Sequence, residues 1–559
     1  MAAIKSMSKM RQFLILFAQE HIEFRISELK SIVSLLKVDA DFSSHQHGDQ
    51  SPFLLVDLPS EECARKIMGR SILAKSSIEV WAQGTTYPEV CQQLKLYPQS
   101  EMEPYCHEDV TFCFKVHTFG KQLNSAAKLE AMKSLEDYLP LKGKVRLRDP
   151  DQIFYIFEDY GTRPNQAPEK PYRIFVGRWI ADGQKRLAHT YSVKKRHFIG
   201  NTSMDALLSF LMANQAAIKQ NSFVFDPFVG TGSLLVAVAH FGGFVAGCDI
   251  NYNVIHGKGK ASRAQSESKY RGRDENIRAN LKQYGLDHKY IDVLISDFSR
   301  NIWREQPLFD AIITDPPYGI REKTRKVGSD KEPYVRDDQT SFHMPVTQSY
   351  FLSDIFTDLL NFSAHYLRLN GRLVYWLPVY RPEYSEDQIP QHPCLQMVAN
   401  DEQILNSSIS RRLITMEKKQ HVIESTFSQA TICKDKYAAH NAIRDKFLIQ
   451  NTLRTKDSPS ASESKHEGEP LSEESLANES GHEREPLCKE SIASESGHEG
   501  EPLAKESLAN ELRHEREPLC KELKVDGDVF AVIESDGVRT MDVWEQTDKY
   551  ILFSPESRA

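Results

Sequence analysis

The sequence predicts an α/β protein: an open, mostly parallel sheet with helices on both faces, preceded by smaller α+β units and followed by a disordered tail. Three observations carry that prediction. From about Tyr191 onward apolar strands alternate with helical stretches in long units. Before that point, short strands and helices alternate at closer spacing. Beyond about residue 456 a polar 16-residue unit repeats, its copies opened by His466, His482, His498 and His514.

Taken in order, residues 1–100 form a first small α+β (ferredoxin-like) unit, with strands at Phe13–Phe17 and Phe53–Val56 and helices at Ser27–Leu36 and Glu61–Met68. Residues 101–190 form a second, with a strand at Val110–Val116, a helix from about Ser125 to Tyr138 and strands near Lys144–Leu147 and Ile153–Phe157. Residues 191–430 hold the parallel sheet, and residues 431–559 are an extension expected to be largely disordered. Each His-Glu-(Gly/Arg)-Glu-Pro-Leu unit carries one or two apolar residues and a proline, too little apolar surface to offset the entropy of ordering. Asp528–Ser554 regains apolar residues and is expected to form a few strands.

Composition narrows the class. No apolar run approaches the roughly 20 residues of a membrane helix. Phe13–Ala18 follows Lys5, Lys9 and Arg11, but this six-residue run is read as a buried strand, and no export signal is expected. Nine cysteines without a Cys-x-x-Cys pair suit a reducing compartment. Cys106, His107, Cys113 and His117 match no usual zinc spacing, so no metal site is expected. The net charge of −8 is concentrated in residues 456–524, which carry 18 acidic and 9 basic side chains; the remainder is near neutral and free to carry basic patches.

Phe223-Val-Phe-Asp-Pro-Phe-Val-Gly-Thr-Gly-Ser-Leu-Leu-Val-Ala-Val-Ala239 reads as a buried strand, a glycine turn and an apolar helix. Gly230 and Gly232 permit a sharp turn and a close approach to a ligand, and the helix start offers unpaired N–H groups to an anion. Asp226 and Phe228 belong to the same turn. The third glycine of the dinucleotide fingerprint is missing, which weakens a nicotinamide reading. Three further strands end in carboxylates: Phe244–Ile250 in Asp249, suited to ribose hydroxyls; Ile291–Asp297 in Asp297, followed by Phe298, suited to an adenine amine and face; and Phe309–Gly319 in Asp315. Ligands of open α/β sheets bind at this carboxyl edge. The bland alternative is that each aspartate caps a following helix, which explains one strand better than four in order.

Asp315-Pro316-Pro317-Tyr318 is the most specific signal. A planar exocyclic amine is a poor nucleophile because its lone pair is delocalised. The Asp315 carboxylate and the Pro316 carbonyl can each accept an N–H bond, favouring the tetrahedral nitrogen and its developing positive charge. The prolines, Pro317 included, stiffen the loop, and Tyr318 offers a face on which an extruded base can stack. This chemistry suits methyl transfer from a sulfonium, with S-adenosyl-L-methionine as cofactor, by proximity and electrostatics.

The order Asp226-Pro-Phe-Val-Gly-Thr-Gly232, then Asp315-Pro-Pro-Tyr-Gly319, resembles RNA amino-methyltransferases with an N-terminal THUMP domain, and among them the eukaryotic tRNA guanosine-10 N2-methyltransferases. Supporting stretches are Gly177–Gly183, Tyr191–Asp205, Asp274–Leu281 and Gly371–Pro378; the likeness runs to about Glu417. The resemblance implies a Rossmann-like class I methyltransferase domain at 191–430 and a THUMP-like domain at 101–190. It implies that Phe198–Asp205 forms a wall beside the cofactor, with Thr202 and Ser203 near its amino-acid end. It also implies a cytoplasmic heterodimer with a small zinc-binding activator subunit added to the sheet edge. Ser233 stands where a small glycine is expected and Asn251 where an acid is expected.

Lys142, Lys144, Arg146 and Arg148 fall at period two, so a strand there presents four cations on one face. A second cluster, Lys185, Arg186, Lys194, Lys195 and Arg196, precedes the catalytic domain. Charged faces are as often simply solvated, but the THUMP resemblance favours tRNA contact. Competing readings are an amino-methyltransferase for DNA adenine or protein glutamine, and a non-catalytic RNA-binding protein with a relic fold; the intact Asp315–Tyr318, Gly230, Gly232 and Asp249 argue against the last.

Overall fold

The computed structural model describes residues 10–42, 51–163, 167–262, 270–304, 306–319, 324–329, 345–423 and 428–432, and the backbone of four short strands between residues 520 and 551. The repeats expected to be disordered lie almost wholly outside the described residues.

The N-terminal half is built on one mixed sheet. Its elements are β1 (Arg11–Phe17), α1 (Arg25–Leu36), β2 (Phe53–Leu58), α2 (Glu61–Met68), β3 (Ala74–Gly84), α3 (Tyr87–Leu96), α4 (Gln99–Cys106), β4 (Phe112–Phe119), α5 (Ser125–Lys133), β5 (Gln152–Asp159) and β6 (Arg173–Asp182). The strands run β4-β5-β6-β3-β1-β2, all neighbours antiparallel except β4 and β5. Strands from both sides of residue 100 therefore share one sheet. It is stitched at the centre by Arg178 of β6, which donates to Glu79 of β3 at 3.0 Å and to Glu61 of α2 at 2.5 Å.

The strand expected at Lys144–Leu147 does not form. Val145 makes only an isolated bridge to Phe112, with Phe112 N–H donating to the Lys144 carbonyl at 3.0 Å and Arg146 N–H to the Phe112 carbonyl at 2.8 Å. The chain is nevertheless extended there, because half-buried Val145 and Leu147 alternate with exposed Lys144, Arg146 and Arg148. Alternating burial is enough to set the direction of the side chains without a full ladder.

After α6 (Arg186–Thr190) and α7 (Ala206–Gln215) comes the second sheet, with β7 (Phe223–Asp226), α8 (Ser233–His240), β8 (Phe244–Asp249), α9 (Tyr252–Ile255), α10 (Ile277–Gln283), β9 (Tyr290–Ile295) and β10 (Phe309–Thr314). The short β11 (Arg325–Val327) and β12 (Thr347–Ser349) pair with each other, and α11 (Leu352–Tyr366), β13 (Leu367–Tyr380), β14 (Leu395–Ile404) and β15 (Ile409–Lys418) complete it. Its order is β14-β15-β13-β10-β7-β8-β9, parallel from β9 to β13 and antiparallel beyond. This is the doubly wound architecture the alternation predicts. The chain runs from β7 outward to β9, then returns to β10 on the other side, so β7 and β10 flank the switch point where a crevice opens. Helices α7, α8 and α10 pack on one face with Val224 and Ile313, and α11 packs on the other with Phe225 and Ile312.

The two halves share a core. Phe24, ahead of α1, meets the Trp376 ring of β13 edge-on, with centroids 6.0 Å apart. Glu28 of α1 is fully buried and accepts from the Ile72 and Leu73 N–H groups, the Ser71 hydroxyl and the Asn214 amide of α7. Burial pushes its carboxyl upward, and those four donors pull it back. Ser27 donates to Asp401 at 2.6 Å, and Gln215 donates to the other oxygen at 2.7 Å. Buried polar groups must find such partners, and here Asn214 to Glu28 and Ser27 to Asp401 supply them across the interface.

Near the C-terminus, β16 (Cys520–Val525), β17 (Asp528–Ser535) and β18 (Val538–Val543) form an antiparallel sheet, and Tyr550–Ile551 pairs with β4. Among the described residues no helix is long and apolar enough to cross a membrane.

Candidate active site

The crevice at the carboxyl edge is built first around the glycine turn. Gly230 (φ +53°) and Gly232 (φ +79°) both occupy the left-handed region, where an L side chain is strained, and Gly232 is the residue from which α8 starts. A Cβ on Gly232 would sit 2.8 Å from Ile277 Cγ2, whereas one on Gly230 would meet nothing within 4 Å. Gly232 is thus required by packing, while Gly230 faces open space.

Hydrogen bonds hold this turn from three sides. Asp249, at the end of β8, accepts from Gly230 N–H at 2.9 Å and from Asn251 N–H at 2.8 Å. Asn251 caps α9, accepting from Asn253 and Val254 N–H. Asp226 accepts from Phe228 N–H at 3.0 Å and from the Thr314 hydroxyl of β10 at 2.7 Å. Asp226 is 1% exposed; burial pushes its carboxyl up to about 7, with Asp249 and Asp315 adding to the rise and its two donors opposing it. Asp226 is therefore a strut between the turn and the Asp315 strand, inside the position expected to meet cofactor directly.

The stretch expected to form the wall lies against the glycine turn. Ser203 accepts from Gly200 N–H at 2.8 Å and shares a 2.6 Å hydrogen bond with the Thr231 hydroxyl inside the glycine turn; Thr202 is exposed beside it. Asn280 of α10 makes a two-way pair with Phe198, its amide donating to the Phe198 carbonyl at 2.7 Å and its oxygen accepting from Phe198 N–H at 2.9 Å.

Arg196 corrects an expectation. It is 2% exposed, donates to Ser233 Oγ at 2.7 Å and to the Tyr191 carbonyl, and so faces inward rather than toward phosphate. The pair also accounts for Ser233: a glycine there offers Arg196 no acceptor. Lys194 and Lys195 remain exposed, as do Lys142, Lys144, Arg146 and Arg148.

At β9, Asp297 is buried and accepts from the Ser299 N–H and hydroxyl and, at 2.6 Å, from Val327 N–H of β11. The Phe298 ring meets Phe228 edge-on at 5.1 Å and also packs on Phe362. Phe228 and Phe298 thus make one apolar corner across the turn.

Beyond β10 lie Asp315, Pro316, Pro317 and Tyr318. Asp315 accepts from Arg411 Nη1 of β15 at 3.4 Å, and Tyr318 packs partly against the main core. A Cβ on Gly319 (φ +77°) would meet nothing within 4 Å, so the loop opens to space just past the tyrosine. Thr314, Asn280 and Arg411 join this site although none was named as a candidate, and Ser233 was noted only as a departure. Thr314, Asn280 and Ser233 lie within stretches already quoted, but Arg411 comes 96 residues after Asp315, in a strand with no motif.

Residues 11–185 match the Tmrp11 THUMP N-terminal domain, and residues 194–330 match the RMKL-like methyltransferase domain. The chain is 53% identical over 449 residues to the tRNA (guanine(10)-N(2))-methyltransferase TRMT11 of Bos taurus, spanning 80% of this chain and 96% of the relative. Against the Homo sapiens protein it is 52% identical over 452 residues, with the same shares. Against that of Dictyostelium discoideum it is 35% identical over 433 residues, spanning 73% of this chain and 82% of the relative. The chain belongs to the TRMT11 family. S-adenosyl-L-methionine is the cofactor that a methyltransferase of this family uses, and the open space at Gly230, the N–H groups opening α8 and the Phe228–Phe298 corner fit its carboxylate, ribose and adenine.

Proposed function

We propose that this TRMT11-family chain methylates the exocyclic N2 amine of guanosine 10 in tRNA, as the catalytic subunit of a cytoplasmic heterodimer with a small zinc-binding activator. The observation that carries the reading is the Asp226–Thr314 hydrogen bond of 2.7 Å. It joins the glycine turn to the strand that ends in Asp315, so that a donor at the one and an amine at the other are neighbours across the switch point.

S-adenosyl-L-methionine supplies a methyl carbon made electrophilic by its sulfonium. On the protein side, the α8 N-terminus receives a carboxylate, Thr202 and Ser203 line its amino-acid end, and Asp249 accepts from ribose hydroxyls. Phe228 and Phe298 flank the base of the cofactor, and the buried Asp297 orders the loop beneath it. The guanine stacks on Tyr318, with Asp315 and the Pro316 carbonyl accepting its two amine hydrogens while Pro317 keeps the loop stiff. The nitrogen lone pair would thereby be localised and aimed at the methyl group that the bound cofactor would supply, with Asp315 or water taking the surplus proton.

Substrate and partner use other surfaces. Lys142, Lys144, Arg146 and Arg148 form an exposed row on the N-terminal half, and Lys194 and Lys195 are exposed ahead of α7, so both groups are available to pair with phosphates. Edge strand β9 leaves Ile291, Leu294 and Ile295 about half exposed, and an unpaired apolar edge is a ready template for an added strand. This edge suits the activator. The decisive experiment incubates the purified chain with unmodified tRNA and S-adenosyl-L-methionine, with and without a zinc-binding activator, and identifies methylated nucleosides by mass spectrometry. N2-methylguanosine appearing only with the partner is expected; tRNA binding with no methylation in either case would replace this reading by the non-catalytic one.

A further inference from the structure

Strand register brings a cation to the Asp315 loop from the antiparallel end of the sheet. Arg411 lies opposite Pro378 of β13 and opposite Gln403 of β14. Its Nε donates to Gln403 Oε1 at 2.7 Å, and its guanidinium carbon lies 4.0 Å from the centroid of the Trp376 ring. The remaining end of the fork reaches Asp315 Oδ2 at 3.4 Å, with the arginine side chain 14% exposed. A cross-strand acceptor and an aromatic face thus fix the guanidinium without help from Asp315. The contact to Asp315 is single and at the long end of the hydrogen-bond range.

We infer that Arg411 is a positioning residue for the reaction: through Oδ2 it fixes the rotation of the Asp315 carboxylate, so that the carboxylate meets the substrate amine already turned. This rests on the reading of Asp315 as catalytic. Glutamine in place of Arg411 keeps a donor but loses the charge and the fork; lysine keeps the charge alone. The Trp376 packing means that any variant here also touches the core, so affinity and stability must be measured beside turnover.

The experiment uses the full chain with its activator, unmodified tRNA and S-adenosyl-L-methionine, comparing R411Q, R411K and D315A. For R411Q, kcat is expected to fall about 100-fold, the scale of a misplaced catalytic group, with cofactor affinity, tRNA affinity and melting temperature close to those of the parent. R411K is expected to recover part of that loss. Three results would overturn the inference: R411Q turning over within about twofold of the parent, R411Q losing cofactor affinity and melting temperature in step with kcat, or R411K doing no better than R411Q. A D315A variant that still turns over would remove the catalytic reading itself, and the inference with it; an inactive D315A beside a fully active R411Q would remove only the inference.

Discussion

The two sides of the crevice are held in different ways. The glycine turn on the β7–β8 side is tied from every direction: Gly230 to Asp249, Phe228 to Asp226, Thr231 to Ser203, and the Phe198 wall to Asn280. Among the described residues, the Asp315 loop on the β10 side carries two stiffening prolines, a 3.4 Å contact from Arg411 to Asp315 and the packing of Tyr318 against the main core. The lesson is one of timing. A site for a cofactor common to every turnover gains from being assembled in advance, since ordering it again each cycle costs affinity. A loop that must receive a base drawn out of folded RNA needs room, and its geometry is completed by the substrate.

This contrast can be broken most sharply at Asp315. The D315A variant should lose methyl transfer to below about a thousandth of the parent rate, because the amine loses its charged acceptor, yet titration with S-adenosyl-L-methionine should give nearly the parent dissociation constant. Loss of cofactor binding as well would mean that the two sides are not separate. The glycines on the other side test the reverse. G230A places a methyl in the open space and should raise the cofactor dissociation constant about tenfold, with a stability cost of about 1–2 kcal/mol for the left-handed backbone. G232A drives its methyl into Ile277 and should show chiefly as a lower melting temperature. Equal effects of the two on affinity would remove the distinction drawn between them.

Much of this site was legible because its chemistry is local in the chain. The glycine turn, the strand-end aspartates and Asp315–Tyr318 are contiguous motifs whose spacing follows from strand-turn-helix geometry. Arg411 was not legible, since its approach to Asp315 depends on the register of β15 against β13, which no local pattern encodes. Arg196 was misread for a related reason: in Lys-Lys-Arg all three cations look alike, and only packing turns the third inward to Ser233. In the N-terminal half, β3 escaped notice because Ser76, Ser77 and Glu79 break the apolar run, although all three are buried and Glu79 is matched by Arg178. The cation row from Lys142 to Arg148 was read in the correct direction from the wrong element, because the same alternation serves a strand and an extended bridge.

Asp226 offers a milder test, since it joins the two sides. Its carboxyl lies at about 7 in the native chain, against an ordinary 3.8. The native state therefore binds this proton more tightly than the unfolded chain does. The resulting stability is fully present below about pH 4, is lost as pH rises toward 7, and changes little above that. In D226N, which keeps an oxygen to accept from Thr314 and Phe228, this component of the pH dependence should vanish, and thermal melts from pH 5 to pH 8 should differ less than in the parent. An unchanged pH profile would mean that some other buried carboxyl, Glu28 or Asp401 foremost, dominates that window.

The smallest effect is expected from the largest deletion. Residues 457–523 carry 18 acidic against 7 basic side chains and few apolar ones, so they have little with which to form a core or cover either side of the crevice. Removing Asp457–Leu523 should leave kcat, both KM values and the melting temperature within about twofold or a degree or two of the parent, near the limit at which distant changes are felt. An acidic segment in cis could still compete with RNA for the row from Lys142 to Arg148, and that competition has its own signature. The deletion would then lower the KM for tRNA at low salt and do nothing at high salt, with cofactor affinity untouched. A large fall in kcat would instead mean that the segment reaches the Asp315 side.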